Sequence, residues 1–238
     1  MIHSILQQIF FARQALSNFG SSDCSPLKPD TLFALEASLH RWQEHWEITQ
    51  GSSINSSSPN GPISSNAIAP FRIAYIRLNA DLGAHRRLET RDHDVMVQAF
   101  CTVPHLARSV HVCRAMLQSA HSLSIPVRMG LEFIARTQTL SWSVVHSLCS
   151  LECAIFLSQW LNCMATKTAE GQVTNANKKR LVNLIDSILQ ETNFVESINI
   201  KPNGTQKYSQ MAAAIYGSVH KHSEGTMCSE SWRPLGNL

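Results

Sequence analysis

Several absences narrow the reading of this sequence before any helix is drawn. No two of its seven cysteines stand in C-x-x-C spacing, so no finger or ribbon pattern for structural zinc is present. There is no G-x-S-x-G elbow, no phosphate loop and no dinucleotide fingerprint. Charge is scarce: 20 Lys and Arg against 17 Asp and Glu leave a net +3 over 238 residues. That is not the basic footprint of a nucleic-acid surface. Met1-Ile-His-Ser-Ile-Leu carries neither a positive n-region nor a small-residue cleavage site, so no signal peptide is expected. The sequons at Asn55 and Asn203 then carry no weight. The cysteines are odd in number, scattered and mostly within apolar patterns, which points to a reducing compartment, cytosol or nucleus. No segment alternates with period two, so no sheet is expected.

What is present is helical periodicity, concentrated between Leu123 and Met164. Val127, Leu131 and Ile134 recur at spacings of four and three, and Trp142, Val145, Cys149, Phe156 and Trp160 continue the rhythm. Leu148, Leu151, Ile155 and Leu157 widen the stripe to more than one face. Such a helix must be covered on several sides. The fold class is therefore all-α: an irregular multi-helix domain around a long central apolar helix or helix pair, with Ser124 capping that stretch and Pro126 in its first turn. Trp142 and Trp160 are assigned to the core. A membrane span is the rival for Leu140 to Leu157, but His146, Glu152 and several serines within it argue against lipid.

Elsewhere the pattern predicts four organisational units. Residues 1–49 read as an N-terminal helical pair, the first marked by Ile2, Ile5, Leu6, Ile9, Phe10 and Leu16. The second carries a seam at Leu32, Leu35, Leu39, Trp42 and Trp46, a candidate partner contact whose commoner use is internal packing. Residues 50–65, rich in Ser, Asn, Gly and Pro, read as a flexible linker. Residues 66–222 read as the main helical domain, and residues 223–238 as a loose tail. Within the main domain one helix is expected from about Asn66 to Leu82, with Pro70 in its first turn and Arg77 facing Asp81. A helix opening at Pro104 follows, then an amphipathic one from Asn175 to Val195 and a last one through Tyr208, Met211, Ile215 and Val219.

Two constellations could carry chemistry. His146, Cys149 and Cys153 share a helical face, yet structural zinc wants four ligands, and core thiols beside a satisfied histidine are the commoner case. The corner His85-Arg86-Arg87-Leu88-Glu89-Thr90-Arg91-Asp92, continuing to His93 and Asp94, is dense in charge of both signs. A helical enzyme or a small-molecule sensor with a pocket near Arg86 to Asp94 is the alternative reading; a solvated, ion-paired corner is the plainer one. No catalytic, metal, cofactor-binding or DNA-binding residue is assigned, and no cofactor is expected.

The segments FRIAYIRLNADLGAHRRLETRD (Phe71 to Asp92) and SLSIPVRMGLEFIARTQTLSWSVVHSLCSLECAIFLSQWL (Ser122 to Leu161) resemble the fungal-specific transcription factor domain. This is the middle homology region that follows zinc-cluster or C2H2 fingers in fungal regulators, and the version here is most similar to the one beside C2H2 fingers. The resemblance runs from about Leu32 to Val219. It implies an all-α regulatory domain, nuclear localisation and control of RNA polymerase II transcription without catalysis. The partners it implies are proteins of the transcription machinery or a full-length factor, with a small-molecule effector as a further option. It implies no membrane and no specific nucleic-acid contact by this chain alone. The zinc finger itself is absent from the sequence, so the expectation is either a fragment of a longer finger protein or a regulator without its own DNA reader.

Overall fold

The computed structural model describes residues 1–18, 27–54, 61–80, 110–129, 143–169 and 176–191, together with 82, 90, 95, 98, 99, 207, 210–212 and 215. Among the described residues the regular elements are helices: α1 (Ile2–Asn18), α2 (Pro29–Ile48), α3 (Gly61–Asn79), α4 (Val110–Met129), α5 (Val144–Ala169) and α6 (Ala176–Gln190). The all-α expectation holds. The domain is irregular and built around α5, the long apolar helix.

From Glu152 to Leu161 every residue of α5 is buried, so this segment has no solvent face at all. It owes that covering to α3 and α4, which pack on it and on each other. The second helix without a wet side is α3, where Ile68, Phe71, Ile73, Ala74, Tyr75, Ile76 and Leu78 are all buried. Besides α4 and α5 it receives α1 and α2, while α6 packs on α4. A run of apolar residues pointing in all directions is what a helix at the crossing of several others requires. Val144–Thr166 is also the one described helix long and apolar enough to cross a membrane. Most of that window is buried against protein, as in a core helix.

The N-terminal helices add to the same core through Ile2, Ile5 and Ile9 of α1 and Leu35, Leu39 and Trp42 of α2. The 3-4-3-4 seam of α2 is thus filled internally, with Trp46 half-buried at its end. Trp42 stacks on Phe71 at 4.9 Å between ring centroids, and Phe71 meets the edge face of Tyr75 at 5.2 Å. Both geometries suit aromatic quadrupoles. Pro29 opens α2 in its first turn, where its missing N–H costs no helical bond.

Three local expectations are corrected. First, α3 begins at Gly61, inside the stretch read as linker, so Pro62 and not Pro70 occupies its first turn. Pro70 lies inside the helix, where its missing N–H leaves the Asn66 carbonyl without the usual bond. Burial of the flanking Ile68, Ala69, Phe71 and Ile73 offsets that loss. Second, Ser124 does not cap a helix. Its hydroxyl donates to the His121 carbonyl at 2.9 Å within α4, and Pro126 also lies inside α4. The apolar face of Val112, Ala115, Met116 and Ala120 carries the helix on to Met129. Of the stretch from Leu123 to Met164, the described residues belong to the end of α4 and to most of α5, while residues 130–142, with Leu131 and Ile134, lie outside them. Third, helical period from Pro104 onward sets Leu106, Val110, Cys113, Leu117 and Ala120 on one apolar face, but Leu117 is exposed.

Met211 and Ile215 are buried in helical conformation, as their spacing predicts; Tyr208 and Val219 lie outside the described residues, as does Trp142. Trp160 is 6 % exposed. Truncating it removes a large aromatic from a segment with no room to collapse. Trp160→Ala should cost about 3–5 kcal/mol, read as a lower midpoint in urea unfolding.

Candidate functional site

Polar groups that penetrate the helical core are few, and three groupings account for the best placed. The first joins α3 to α5. Glu152 has a side chain with no exposure, and the Arg77 guanidinium meets it with both arms: Nε donates to Oε2 at 3.2 Å and Nη2 to Oε1 at 2.8 Å. Paired donation to a carboxylate is the geometry arginine is built for. Arg13 of α1 then closes the end of α3, its Nε donating to the Arg77 carbonyl at 3.2 Å and its Nη2 to the Leu78 carbonyl at 2.9 Å. A cation on the last carbonyls of a helix satisfies orphan acceptors and opposes the negative end of the dipole. Asp81, which the helical spacing sets opposite Arg77, lies outside the described residues.

The second grouping ties α2 to α4. Glu36, 5 % exposed, takes the His111 Nδ1 on one oxygen and Arg114 Nη1 on the other at 3.2 Å. Tyr75 of α3 packs close by, and burial, with the Glu36 charge second, pushes its hydroxyl pKa up. This tyrosine stays neutral.

The third lies where α3, α4 and α5 converge, and it contains the sequence-predicted His146, Cys149 and Cys153. The His146 ring is turned to Asn66 of α3, with Nε2 3.0 Å from Oδ1. Burial first and the Arg72 charge second push its pKa down to about 4. The Cys149 and Cys153 sulfurs are 3.9 Å apart, and the Ser122 hydroxyl of α4 is 3.6 Å from Cys149 Sγ. Among the described residues no group of three or more His, Cys, Asp or Glu side chains is placed to hold a metal ion. The three residues share a face, but the histidine is committed to an amide.

Arg72 completes this region and was not flagged by the sequence. It sits in the middle of Phe71-Arg72-Ile73, a context that reads as core, and is itself 8 % exposed. Its Nε has no hydrogen-bond partner. Glu36, His111, Asn66 and Ser122 were missed too. The only sequence signal for them was polarity inside an apolar period. The charged corner from Arg86 to Asp94 lies outside the described residues except Thr90.

Among the described residues, these groups bind helices to one another. Against known families, the chain matches the model of the fungal transcription factor C-terminal domain over residues 81–228. The chain belongs to this family. The matched span contains the whole of the Ser122 to Leu161 segment, but only the part of the Phe71 segment from Asp81 onward. It is also described as a C-terminal domain, where the resemblance named the middle homology region. No curated protein and no solved structure matches the chain.

The ion pair gives a test of what holds α5 in place. Arg77→Met should cost about 3 kcal/mol, the low end for breaking a buried pair because Arg77 is partly exposed. Pairing it with Glu152→Met should return much of that loss. Chemical denaturation of the two variants and the wild type checks both statements.

His146 gives a pH test. Its folded pKa lies below the unfolded value of about 6.5, so the unfolded chain binds a proton first as pH falls. Stability linked to His146 is whole above about pH 6.5 and is lost progressively toward about pH 4. His146→Gln, which keeps a polar group facing Asn66 and does not titrate, should flatten the fall in melting temperature between pH 7 and pH 5, measured by thermal scans of both proteins.

Proposed function

We propose that this chain is a regulatory module of a fungal RNA polymerase II transcription factor, acting in the nucleus through protein contacts. The family match over residues 81–228 carries the reading. The internal evidence agrees with it. The best-placed charged groups, Glu36, His111, Arg114, Arg77 and Glu152, are spent on tying helices together. A general acid or base needs a positioned group facing a substrate, and these groups face other helices. A net charge of +3 supplies few counter-ions for release from DNA. Within this proposal, the likeness of the Ser122 to Leu161 segment supports the version linked to C2H2 fingers. A partner in the transcription machinery or in a full-length factor is the expected counterpart, with a small-molecule effector as the secondary mode.

The chain fused to an unrelated DNA-binding domain should change expression of a reporter carrying that domain's site in a fungal host. An inert fusion, present in the nucleus at normal levels, would count against the proposal. The unfused chain should select no sequence from a random DNA pool at physiological salt. Enrichment of one motif would reveal a base-reading surface instead.

A further inference from the structure

The first helix, α1, has two sides of different character. Ile2, Ile5 and Ile9 are buried in the core. Phe10, grouped with them by apolar period, is 54 % exposed, and Phe11 beside it is 64 % exposed. Their rings meet edge to face at 5.7 Å, so the two form one aromatic knob in solvent. On the helical wheel they share a side with His3, Gln7 and Gln14, and all five residues are exposed. His3, Gln7, Phe10 and Gln14 recur at spacings of four, three and four. That is the heptad period of a seam between two packed helices, with Phe11 flanking it.

This outer side carries no fixed charge. From Ile2 to Asn18 there is no Asp, Glu or Lys. The one arginine, Arg13, is turned to the end of α3, where it donates to the carbonyls of Arg77 and Leu78. An acidic or a basic partner meets no opposite charge here, so the face is matched to an uncharged one.

We propose that α1 is a self-association surface, on which the Phe10–Phe11 side of one chain packs against the same side of a second copy about a two-fold axis. In such an isologous contact a residue near the axis meets its own kind. A charge there would face itself and repel. Phenylalanine and glutamine do not: rings pair edge-on or offset, and a glutamine amide both donates and accepts, so Gln7 and Gln14 can answer their counterparts. Polar residues in a helical seam fix register and partner number at some cost in stability. The core is untouched, because Ile2, Ile5 and Ile9 keep their places against α2 and α3. Size sets the strength. A helix of 17 residues is about 25 Å long. One face of it per copy falls short of the roughly 1,200 Å² that stable complexes bury, so the dimer is weak and exchanges with monomer.

Sedimentation velocity of the full wild-type chain, from about 5 μM to about 500 μM, tests this. The expected result is a weight-average mass that rises with concentration toward that of two chains. The mass of one chain throughout would overturn the proposal and leave the aromatic side to a different, uncharged protein surface. Phe11→Glu and Phe11→Lys should each stay at the mass of one chain with the wild-type circular dichroism spectrum, since this ring contributes little to the core. Mixed in equal amounts, the two variants should regain the dimer, because glutamate then faces lysine; a misfolded variant would not be rescued in this way. A Phe11→Glu chain that still dimerises, or a mixture that stays monomeric, would overturn the assignment of the face. If either charged variant loses the wild-type spectrum, the double variant Phe10→Gln, Phe11→Gln takes its place, with loss of the dimer expected and its retention overturning the assignment. Val144→Glu, at an exposed apolar residue opening α5, should dimerise as the wild type does. Equal loss there would trace the effect to net charge and overturn the proposal.

Discussion

Glu152 sits in α5 between Leu151 and Cys153 with none of its side chain exposed, and an ionised carboxylate there is tolerable only with a matched cation. Arg77 is that cation, and supplying it dictates much of the rest. The guanidinium must arrive from α3 at the height of Glu152, which fixes where α3 crosses α5. Its own carbonyl and that of Leu78 must then be answered at the end of α3, and Arg13 of α1 does so. One buried charge on α5 thus recruits residues from two further helices, α3 and α1. Apolar packing supplies most of the free energy of such a core, but it is indifferent to small slides and rotations. The paired hydrogen bonds are not, since an offset of one turn would leave the carboxylate unmatched.

The same logic recurs between α2 and α4, where Glu36 holds His111 and Arg114. It is incomplete where α3, α4 and α5 meet. Arg72 is as deeply placed as Glu36, yet its Nε has no hydrogen-bond partner. The two acidic sites are structural fasteners, whereas among the described residues Arg72 has no carboxylate matched to it.

Much of the fold was legible because it depends on period. The α2 seam at Leu32, Leu35, Leu39 and Trp42 and the wide stripe of α5 both follow from 3.6-residue spacing, and both are buried. The boundaries were less legible because prolines mislead when tertiary packing overrides them. Pro70 and Pro126 look like helix starts, but each sits within a helix whose apolar contacts outweigh one missing hydrogen bond. The polar cross-links were hardest to see. Nothing near Arg77 in sequence names Glu152, 75 residues away. Asp81, at the ideal helical spacing, was the natural guess. Likewise, His146 and the two cysteines were correctly placed on one face, but their partners Asn66, Arg72 and Ser122 come from α3 and α4. Periodicity reports which face is buried; it does not report what that face meets.

The family match begins at Asp81, two residues beyond the end of α3, yet α3 is the helix through which the matched region is held. Within that region α4 and α5 pack on each other and both pack on α3. A chain trimmed to residues 81–228 would leave Glu152 without Arg77, His146 without Asn66, and the inward faces of α4 and α5 open to water. The recognisable part of the sequence is therefore smaller than the part that folds around it. The matched region needs something apolar to fill the crossing and one arginine to reach the carboxylate. Here α3 meets both conditions, with Phe71, Ile73 and Ile76 for the crossing and Arg77 for the charge. The α1 and α2 helices in turn keep α3 from presenting its own apolar sides to solvent. The physical unit is set by where buried charge and apolar surface are satisfied, and that point lies N-terminal to the start of the family pattern.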